Sequence, residues 1–492
     1  MLRLHDTATG EVKPLRLRTP GAVSLYVCGP TVYDAPHLGH GRFSLVFDVL
    51  RRYLLFTGLE VTYVSNITDI EDKIIERAAR EGMETSDLTA RYEQVWWDAM
   101  EALGVLAPDE APHATAYVPR MVELIEDLVG RGAAYETDDG VYLSVRDVPG
   151  YGLLAHQPLD SLRAGARVEA NEEKRSPLDF VLWKKARPGE PTWDSPWGPG
   201  RPGWHTECVV MSLDLLGDGF DLHGGAIDLI FPHHENERAQ AVAVGREFAR
   251  HWVHNGWVTV DGEKMSKSTG NFTSLDDLLG RSDARAYRLL VLRSHYRSPI
   301  EVTPDTVAQA EAGLARLDEL ARRFGLADPL ADGPVVAAVD GAVDGAVVAA
   351  VDGAVDGAVD GAVDGPGLGA TDAAAVERFR SRMDDDLDTP GALATLFDLT
   401  RQANAAADAG DEEGARRAAS TVALLCGALG LRLRGPGTAG VVLDEETAAL
   451  VRARDRARAE RSWVEADRLR DELVGGGWLV EDGPDGTRVR RP

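Results

Sequence analysis

The stretch Val23-Ser24-Leu25-Tyr26-Val27-Cys28-Gly29-Pro30, followed by Thr31-Val32-Tyr33-Asp34-Ala35-Pro36-His37-Leu38-Gly39-His40-Gly41-Arg42, decides how the chain is read. Val23 to Val27 is a short β-prone run that stops at Cys-Gly-Pro, a strand followed by a turn. A loop from Thr31 to Gly41 comes next. Phe43, Val46, Phe47, Leu50 and Leu54 then recur at helical spacing, and Glu60-Val61-Thr62-Tyr63-Val64 is a second strand. Strand, loop, helix, strand is the opening of a parallel α/β sheet, a fold whose ligands sit beyond the carboxyl ends of its strands.

Outward from that unit, residues from about 70 to 130 read as helices, with Ile74, Ile75 and Ala78 starting one face. The next part, to about 200, is rich in Gly, Pro and short strands and reads as an insertion. From Gly203 the α/β pattern resumes. A helix is expected around Val209–Leu216, a strand near Phe220–His223, and the last strand of the sheet at Trp257–Val260. Residues from about 304 to 325 are helical, with Val307, Ala310, Leu314, Leu317 and Leu320 on one side. Ala373 to Leu431 is an Ala/Leu-rich helical region, and Asp444 to Pro492 a helical pair with a strand-like tail.

The chain has 492 residues, enough for about three domains at roughly 100–200 residues each. Apolar residues make up 44% and charged residues 27%, which excludes disorder throughout. No run reaches the ~20 apolar residues of a membrane span, and the first residues lack a signal-peptide core. Three cysteines, Cys28, Cys208 and Cys426, are too few and too scattered for a disulfide framework, so the expected compartment is the reducing cytoplasm. Only seven of the 53 basic residues are lysine, a bias of the kind a high-GC bacterial genome produces. Residues 335–346, VVAAVDGAVDGA, are repeated identically at 347–358, and VDG occurs six times between Val339 and Gly365. The repeat offers neither a helical apolar face nor strand alternation. It reads as a disordered acidic spacer.

Two motifs far apart in the chain carry one chemistry. His37-Leu38-Gly39-His40 opens the first helix, and Lys264-Met265-Ser266-Lys267-Ser268 follows the strand at 257–260. Nucleotidyl transfer requires positioned donors around phosphoryl oxygens that gain negative charge. His37 and His40 at a helix N-terminus suit that need, Gly39 allows close approach of the nucleotide, and Lys264 and Lys267 can face the leaving pyrophosphate. A second constellation points to a metal. Cys28 ends the first strand, Cys208 follows Gly203-Trp204-His205-Thr206-Glu207, and His233 and Glu237 in Phe231-Pro232-His233-His234-Glu235-Asn236-Glu237 lie four apart, on one face of a helix. Two Cys, a His and a Glu are competent ligands for tetrahedral zinc, whereas Cys426, within Ala423-Leu424-Leu425-Cys426, reads as inert core.

The stretches YVCGPTVYDAPHLGHGR (26–42), NITDIEDKIIERA (66–78), DFVLWK (179–184), SPWGPGRPGWHTEC (195–208), FPHHENE (231–237) and KMSKSTGN (264–271) resemble the bacterial cysteinyl-tRNA synthetases, of the class I aminoacyl-tRNA synthetases. The resemblance covers nearly the whole chain apart from the VDG tract. It implies a Rossmann-like catalytic domain at 1–325, with a connective insertion at about 110–200 and a KMSKS and stem-contact region at about 261–325. The spacer at 326–370, a helical tRNA-binding domain at 371–435 and a C-terminal anticodon-binding region at 436–492 complete the organisation. It further implies L-cysteine, ATP with Mg2+ and tRNA(Cys) as substrates and partners, a monomer, and one Zn2+ per chain. Cys28, Cys208, His233 and Glu237 occupy the family's ligand positions, and Gly29, Thr31, Thr68, Trp204 and Asp228 its cysteine pocket beside Cys28. One departure stands out: the family usually reads HGGGSDL where this chain has His223-Gly224-Gly225-Ala226-Ile227-Asp228-Leu229. The nearest rival is the mycothiol-pathway cysteine ligase, which uses an amino-sugar acceptor; an inactive tRNA-binding module is a more distant one.

A net charge of −27 weighs at first against a nucleic-acid partner. Locally it does not. Lys264 to Arg297 holds seven basic residues against three acidic, and Arg452 to Arg470 seven against four. Phosphate contacts are local and screened over ~8–10 Å, so these clusters outweigh the global sum. Trp463 and Trp478 in the last region are each suited either to base stacking or to a small core.

Overall fold

A hairpin of β1 (Arg3–Asp6) and β2 (Glu11–Pro14) leads into β3 (Ala22–Val27), α1 (Leu38–Phe56) and β4 (Glu60–Ser65). β3 and β4 run parallel, from Ala22 opposite Glu60 to Val27 opposite Ser65. This computed structural model describes residues 1–158, 161, 173–260, 263–264, 274–331, 333–335, 370–436, 445–459, 462–483 and 486–490. After β4 come α2 (Asp72–Glu81), α3 (Thr85–Ala102) and α4 (Val118–Gly130). The segment read as an insertion then forms an antiparallel sheet of β5 (Ala134–Glu136), β6 (Gly140–Leu143), β7 (Phe180–Lys185) and β8 (Gly200–Pro202), in that order.

The chain returns to the first sheet through α5 (Trp204–Leu216), β9 (Leu222–Ala226), α6 (Glu235–Ala243) and β10 (His251–Asn255). The strand order is β10-β9-β3-β4, with every pairing parallel. β3 connects to β4 on one side while β9 lies on the other, so the topological switch point falls between β3 and β9. Val23, Leu25, Tyr26 and Val27 are buried, as a central strand covered on both faces requires.

Two expectations for this sheet shift. The strand foreseen near Phe220–His223 is β9, two residues later, and it runs through Gly224 and Gly225. Glycine weakens a strand, but here bulk is excluded: a Cβ on Gly224 would sit 2.3 Å from Phe47 Cε1 of α1. The last strand of the sheet is β10, whose His251-Trp252-Val253-His254-Asn255 looks too polar for a buried strand, although all five residues are buried. Val258–Val260 is instead β11, in a separate sheet between β12 (Glu263–Lys264) and β13 (Ile300–Glu301).

α7 (Leu275–Leu279), α8 (Ala284–Leu292) and α9 (Pro304–Phe324) precede the helical region, which contains α10 (Ala373–Met383), α11 (Thr389–Asp408) and α12 (Glu412–Ala428). These helices share one continuous core with the sheet: Leu25 and Val27, Phe47 and Leu50 of α1, Leu289 of α8, Leu317 of α9 and Leu396 and Leu425 belong to the same cluster. Cys426 is buried within it, where burial pushes its thiol far up. Residues 326–335, assigned above to the spacer, include a buried Leu330, and Val335 packs on Gly427 of α12. The VDG repeat beyond residue 335 lies outside the described residues.

The C-terminal segment consists of α13 (Glu445–Ala459), α14 (Trp463–Gly475), and the antiparallel pair β14 (Leu479–Gly483) and β15 (Gly486–Arg490). Trp478 is buried and Trp463 is 59% exposed, which separates the two tryptophans that sequence leaves equivalent. Arg454 donates to Thr487 Oγ1, and Arg468 pairs with Glu465 and Glu472, so two of the clustered arginines have local structural partners. Among the described residues, no helix is long and apolar enough to cross a membrane.

Candidate active site

The carboxyl ends of β3, β4 and β9 converge with the first turns of α1 and α5. Cys28 follows β3 directly, and its amide donates to Gly224 O at 3.3 Å, so the strand pairing at the switch point aims its side chain. Cys208 lies in the second turn of α5. His233 and Glu237 come from the short turn at Ile230–His234 and from α6. All four are buried, and one ligand atom from each lies within 4.8 Å of every other.

The edges of this cluster test whether a metal fits. Bonds of ~2.3 Å from tetrahedral zinc to sulfur imply a sulfur–sulfur edge of about 3.8 Å. The observed separations are 3.6 Å for Cys28 Sγ to Cys208 Sγ, 3.8 Å for Cys208 Sγ to His233 Nε2, and 3.6 Å for Cys28 Sγ to Glu237 Oε1. The His233 Nε2 to Glu237 Oε1 edge is shorter, at 2.8 Å, a hydrogen bond that an ion between them would open. The donor set fits zinc. A second set, Cys28, His223, His234 and Glu237, meets the same distance criterion but shares two members and supplies one sulfur instead of two. Its His223 Nε2 to Glu237 Oε2 contact of 2.7 Å is the bond that orients the carboxylate of the first set.

Electrostatics support a cation there. Burial, reinforced by Cys208 and Glu237, pushes the Cys28 thiol well up. Cys208 moves the other way, to about 6: burial opposes the shift, but the hydrogen bond from Cys28 and the His233 charge overcome it. His233 rises to about 10 against its own burial, held by the Glu237 carboxylate and by Cys208. Without an ion, one thiol therefore stays protonated and His233 supplies the positive charge. Two adjacent thiolates need a metal.

A ring of partners orients the ligands. The Nδ1 atoms of His205 and His233 lie 2.9 Å apart, and Trp204 stacks on His233 at 4.0 Å with the planes 19° apart. His234 Nε2 approaches Cys28 Sγ at 3.3 Å, and its Nδ1 meets His254 Nε2 at 2.8 Å. Burial first, and then neighbouring imidazoles, lower His205 and His254 to about 3, so both stay neutral. Five of the chain's 12 histidines thus gather here, but sequence reasoning singled out only His233. Their common trait is position at strand ends and helix starts, in WHTEC, DLHGG, PHHEN and VHN.

Of the proposed cysteine-pocket residues, Trp204 stacks on His233, and Gly29 and Thr68 reach the cluster through Asn66, whose Oδ1 lies 3.7 Å from Cys208 Sγ. Thr31 and Thr68 face each other in an isolated parallel bridge. Thr68 Oγ1 is 2.7 Å from Glu207 Oε2 and receives Asn66 Nδ2 at 3.1 Å, and the Gly29 amide donates to Asn66 Oδ1 at 2.9 Å. Gly29 can be nothing else, because a Cβ would stand 1.6 Å from Asn66 O. Asp228 is exposed on a short turn after β9.

His37 is the N-cap of α1. Its Nδ1 accepts from the His40 amide at 3.3 Å, the His40 Nδ1 accepts from the His37 amide at 3.2 Å, and the rings stack at 3.7 Å. Reciprocal capping leaves both imidazoles at the positive end of the helix. Gly39 lies between them in the first turn. Lys264 is in β12, with its backbone opposite Thr259 of β11. Lys267 lies outside the described residues.

The family model described as tRNA synthetases class I (C) catalytic domain matches residues 14–312, the DALR domain matches 378–434, and the cysteinyl-tRNA ligase anticodon binding domain matches 441–490. Cysteine--tRNA ligase from Halorhodospira halophila is 45% identical over 498 residues, covering 100% of both chains. Cysteine--tRNA ligase from Alkalilimnicola ehrlichii is 46% identical over 500 residues, again over the whole of both. This chain belongs to the cysteine--tRNA ligase family. It is an enzyme of the class I aminoacyl-tRNA synthetases. The class I fold is shared with Mycobacterium tuberculosis methionyl-tRNA synthetase in complex with methionyl-adenylate, at TM-score 0.55 and 18% identity over 83% of this chain and 89% of that one.

Proposed function

We propose that the chain activates L-cysteine with ATP to enzyme-bound cysteinyl-adenylate and transfers the cysteinyl group to the 3′ end of tRNA(Cys), as a cytoplasmic monomer. What supports the reading most directly is the pair of buried thiols, Cys28 and Cys208, held 3.6 Å apart with His233 and Glu237 at the switch point of a class I sheet. Cys28, Cys208, His233 and Glu237 hold one zinc ion. Zinc supplies affinity for a substrate thiolate that serine's hydroxyl cannot match, while an apolar pocket separates such near-isosteres by only about 10–200-fold. Trp204, stacked on His233, together with Gly29, Thr31, Thr68 and Asp228, shapes the space for the amino acid. ATP enters with Mg2+ over Gly39, and His37 and His40 donate to phosphoryl oxygens as the cysteine carboxylate attacks the α-phosphate. Lys264 and Lys267 stabilise the departing pyrophosphate.

The domain organisation completes the reading: catalytic residues 1–325, helical tRNA-binding residues 371–435 and an anticodon-contacting region at 436–492. The terminal region favours tRNA over the amino-sugar acceptor of a mycothiol-pathway ligase. The purified protein should support cysteine-dependent, serine-independent ATP–pyrophosphate exchange and charge tRNA(Cys) but not glucosaminyl-inositol. Product on the sugar alone would overturn the assignment. Cys208→Ala should lose both zinc and exchange activity, and a variant retaining full metal content would remove Cys208 from the ligand set.

A further inference from the structure

Arg42 lies two residues beyond His40 on α1 and is 1% exposed. A buried guanidinium normally faces a carboxylate, since an unpaired charge away from water is costly. No carboxylate among the described residues pairs with Arg42. Its Nη1 donates to Trp257 O, and its Nη2 to Tyr296 O at 3.0 Å and to Ser298 O, while its Nε has no partner among the described residues. Burial lowers its pKa to about 10, so the side chain keeps its charge at neutral pH.

The three carbonyls have one thing in common. Trp257 immediately precedes β11, and Tyr296 and Ser298 precede β13, which pairs in parallel with β11. β11 in turn carries β12, where Lys264 stands opposite Thr259. Arg42 therefore holds both strands that support the Lys264 strand. The other flank of residues 265–273 is tied to the same end of α1: the Leu275 amide donates to Pro36 O at 3.0 Å, and His37 bridges Ser274. From α8, Tyr287 donates its hydroxyl to Leu38 O at 2.6 Å. Of these ties, only Arg42 uses a charged side chain with several donors in a planar fork, the feature that sets distance and angle together.

We propose that Arg42 is a positioning residue that fixes the Lys264-bearing strand against the His37–His40 turn, so that donors from the two motifs reach one triphosphate in register. The inference rests on the nucleotide-binding reading of those motifs. Among the described residues Arg42 hydrogen-bonds the Trp257, Tyr296 and Ser298 carbonyls and none of Cys28, Cys208, His233 and Glu237, so its effect should appear in the nucleotide step and not in cysteine affinity. Misplacement of catalytic groups by about 1 Å costs up to ~100-fold in rate.

The test compares Arg42→Met and Arg42→Lys with the parent protein in cysteine-dependent ATP–pyrophosphate exchange, with zinc content and melting temperature measured alongside. In Arg42→Met, kcat should fall about 100-fold while the KM for cysteine stays within about twofold and zinc content is full. Arg42→Lys should show an intermediate loss, because an ammonium cannot span three carbonyls in one plane. A lowered melting temperature with unchanged kcat, or kcat and cysteine KM degrading in parallel, would overturn the proposal. Should Arg42→Met fail to fold, Arg42→Lys decides: parent-like kcat overturns the role and a selective kcat loss supports it. A parent protein without cysteine-dependent exchange would instead sink the functional reading on which the proposal stands.

Discussion

Cys28 and Cys208 look equivalent in sequence, but the fold makes them unequal. Cys208 faces the His233 imidazolium and is depressed to about 6, while burial leaves Cys28 protonated. His233, raised to about 10, carries a proton at pH 8 that a metal ligand cannot keep. On the proposed ligand set, zinc binding is expected to expel one proton from Cys28 and one from His233. Calorimetric titration of the metal-free protein with zinc at pH 8, in buffers of different ionisation enthalpy, should report a release of about two protons. As the pH falls through about 6, Cys208 also protonates, so proton release should grow and zinc affinity should drop. Release that stays near zero at both pH values would contradict this charge arrangement.

At the scale of an element, α1 does two unlike jobs along its length. Its first turn presents His37 and His40. Its middle buries Asp48, which pairs with Arg52 one turn on and with Arg288 of α8, and accepts from the Leu106 amide at 2.8 Å. Burial pushes the Asp48 carboxyl up, but Arg288 and Arg52 outweigh it and hold it below the usual carboxylate range. Breaking a buried pair from one side costs about 3–5 kcal/mol, because the other charge is left uncompensated. Asp48→Asn should lose stability of that order in urea unfolding near neutral pH. A depressed carboxyl contributes stability above its unfolded pKa, near 4, and loses it as the pH falls through the lower folded value. The acid limb of the stability curve should accordingly be shallower in the variant. Equal stability at pH 7 would mean that the two arginines are satisfied by the Leu103, Gly104 and Leu429 carbonyls they also contact.

At the scale of the whole molecule, the helical region and the sheet share one core, and the described residues on either side of the acidic repeat rest on it. Val335 packs on Gly427, and the Asp372 amide donates to Thr421 Oγ1 at 2.8 Å, so both flanks of the repeat rest on α12. Gly427 and Thr421 are about 9 Å apart along that helix at 1.5 Å per residue. A short linker can span that distance, and each halving of a loop changes its closure cost by only ~0.6 kcal/mol. Replacing residues 337–368 with a short Gly/Ser linker should leave melting temperature and tRNA charging nearly unchanged. A large loss of charging with intact cysteine-dependent exchange would give the repeat a part in tRNA docking.

Sequence alone determined the parallel α/β class and marked Cys28, Cys208, His233 and Glu237 as candidates that the fold brings together, because each is written in local order: an apolar run, a helical spacing, or a short string of chemically reactive side chains. The strand at His251–Asn255 was illegible, since its histidines and asparagine look solvent-facing until the fold surrounds them with partners. The outer histidines His205, His223, His234 and His254 were hidden for the same reason, acting only through groups brought from other elements. Tertiary structure decided that Trp478 is buried while Trp463 faces solvent, and that Pro329 and Val335 pack on α12. It also decided that Arg42 bonds to carbonyls more than two hundred residues away. Short-range order records what a residue can do chemically. Only the packing of distant segments, which no periodicity encodes, determines what that residue meets.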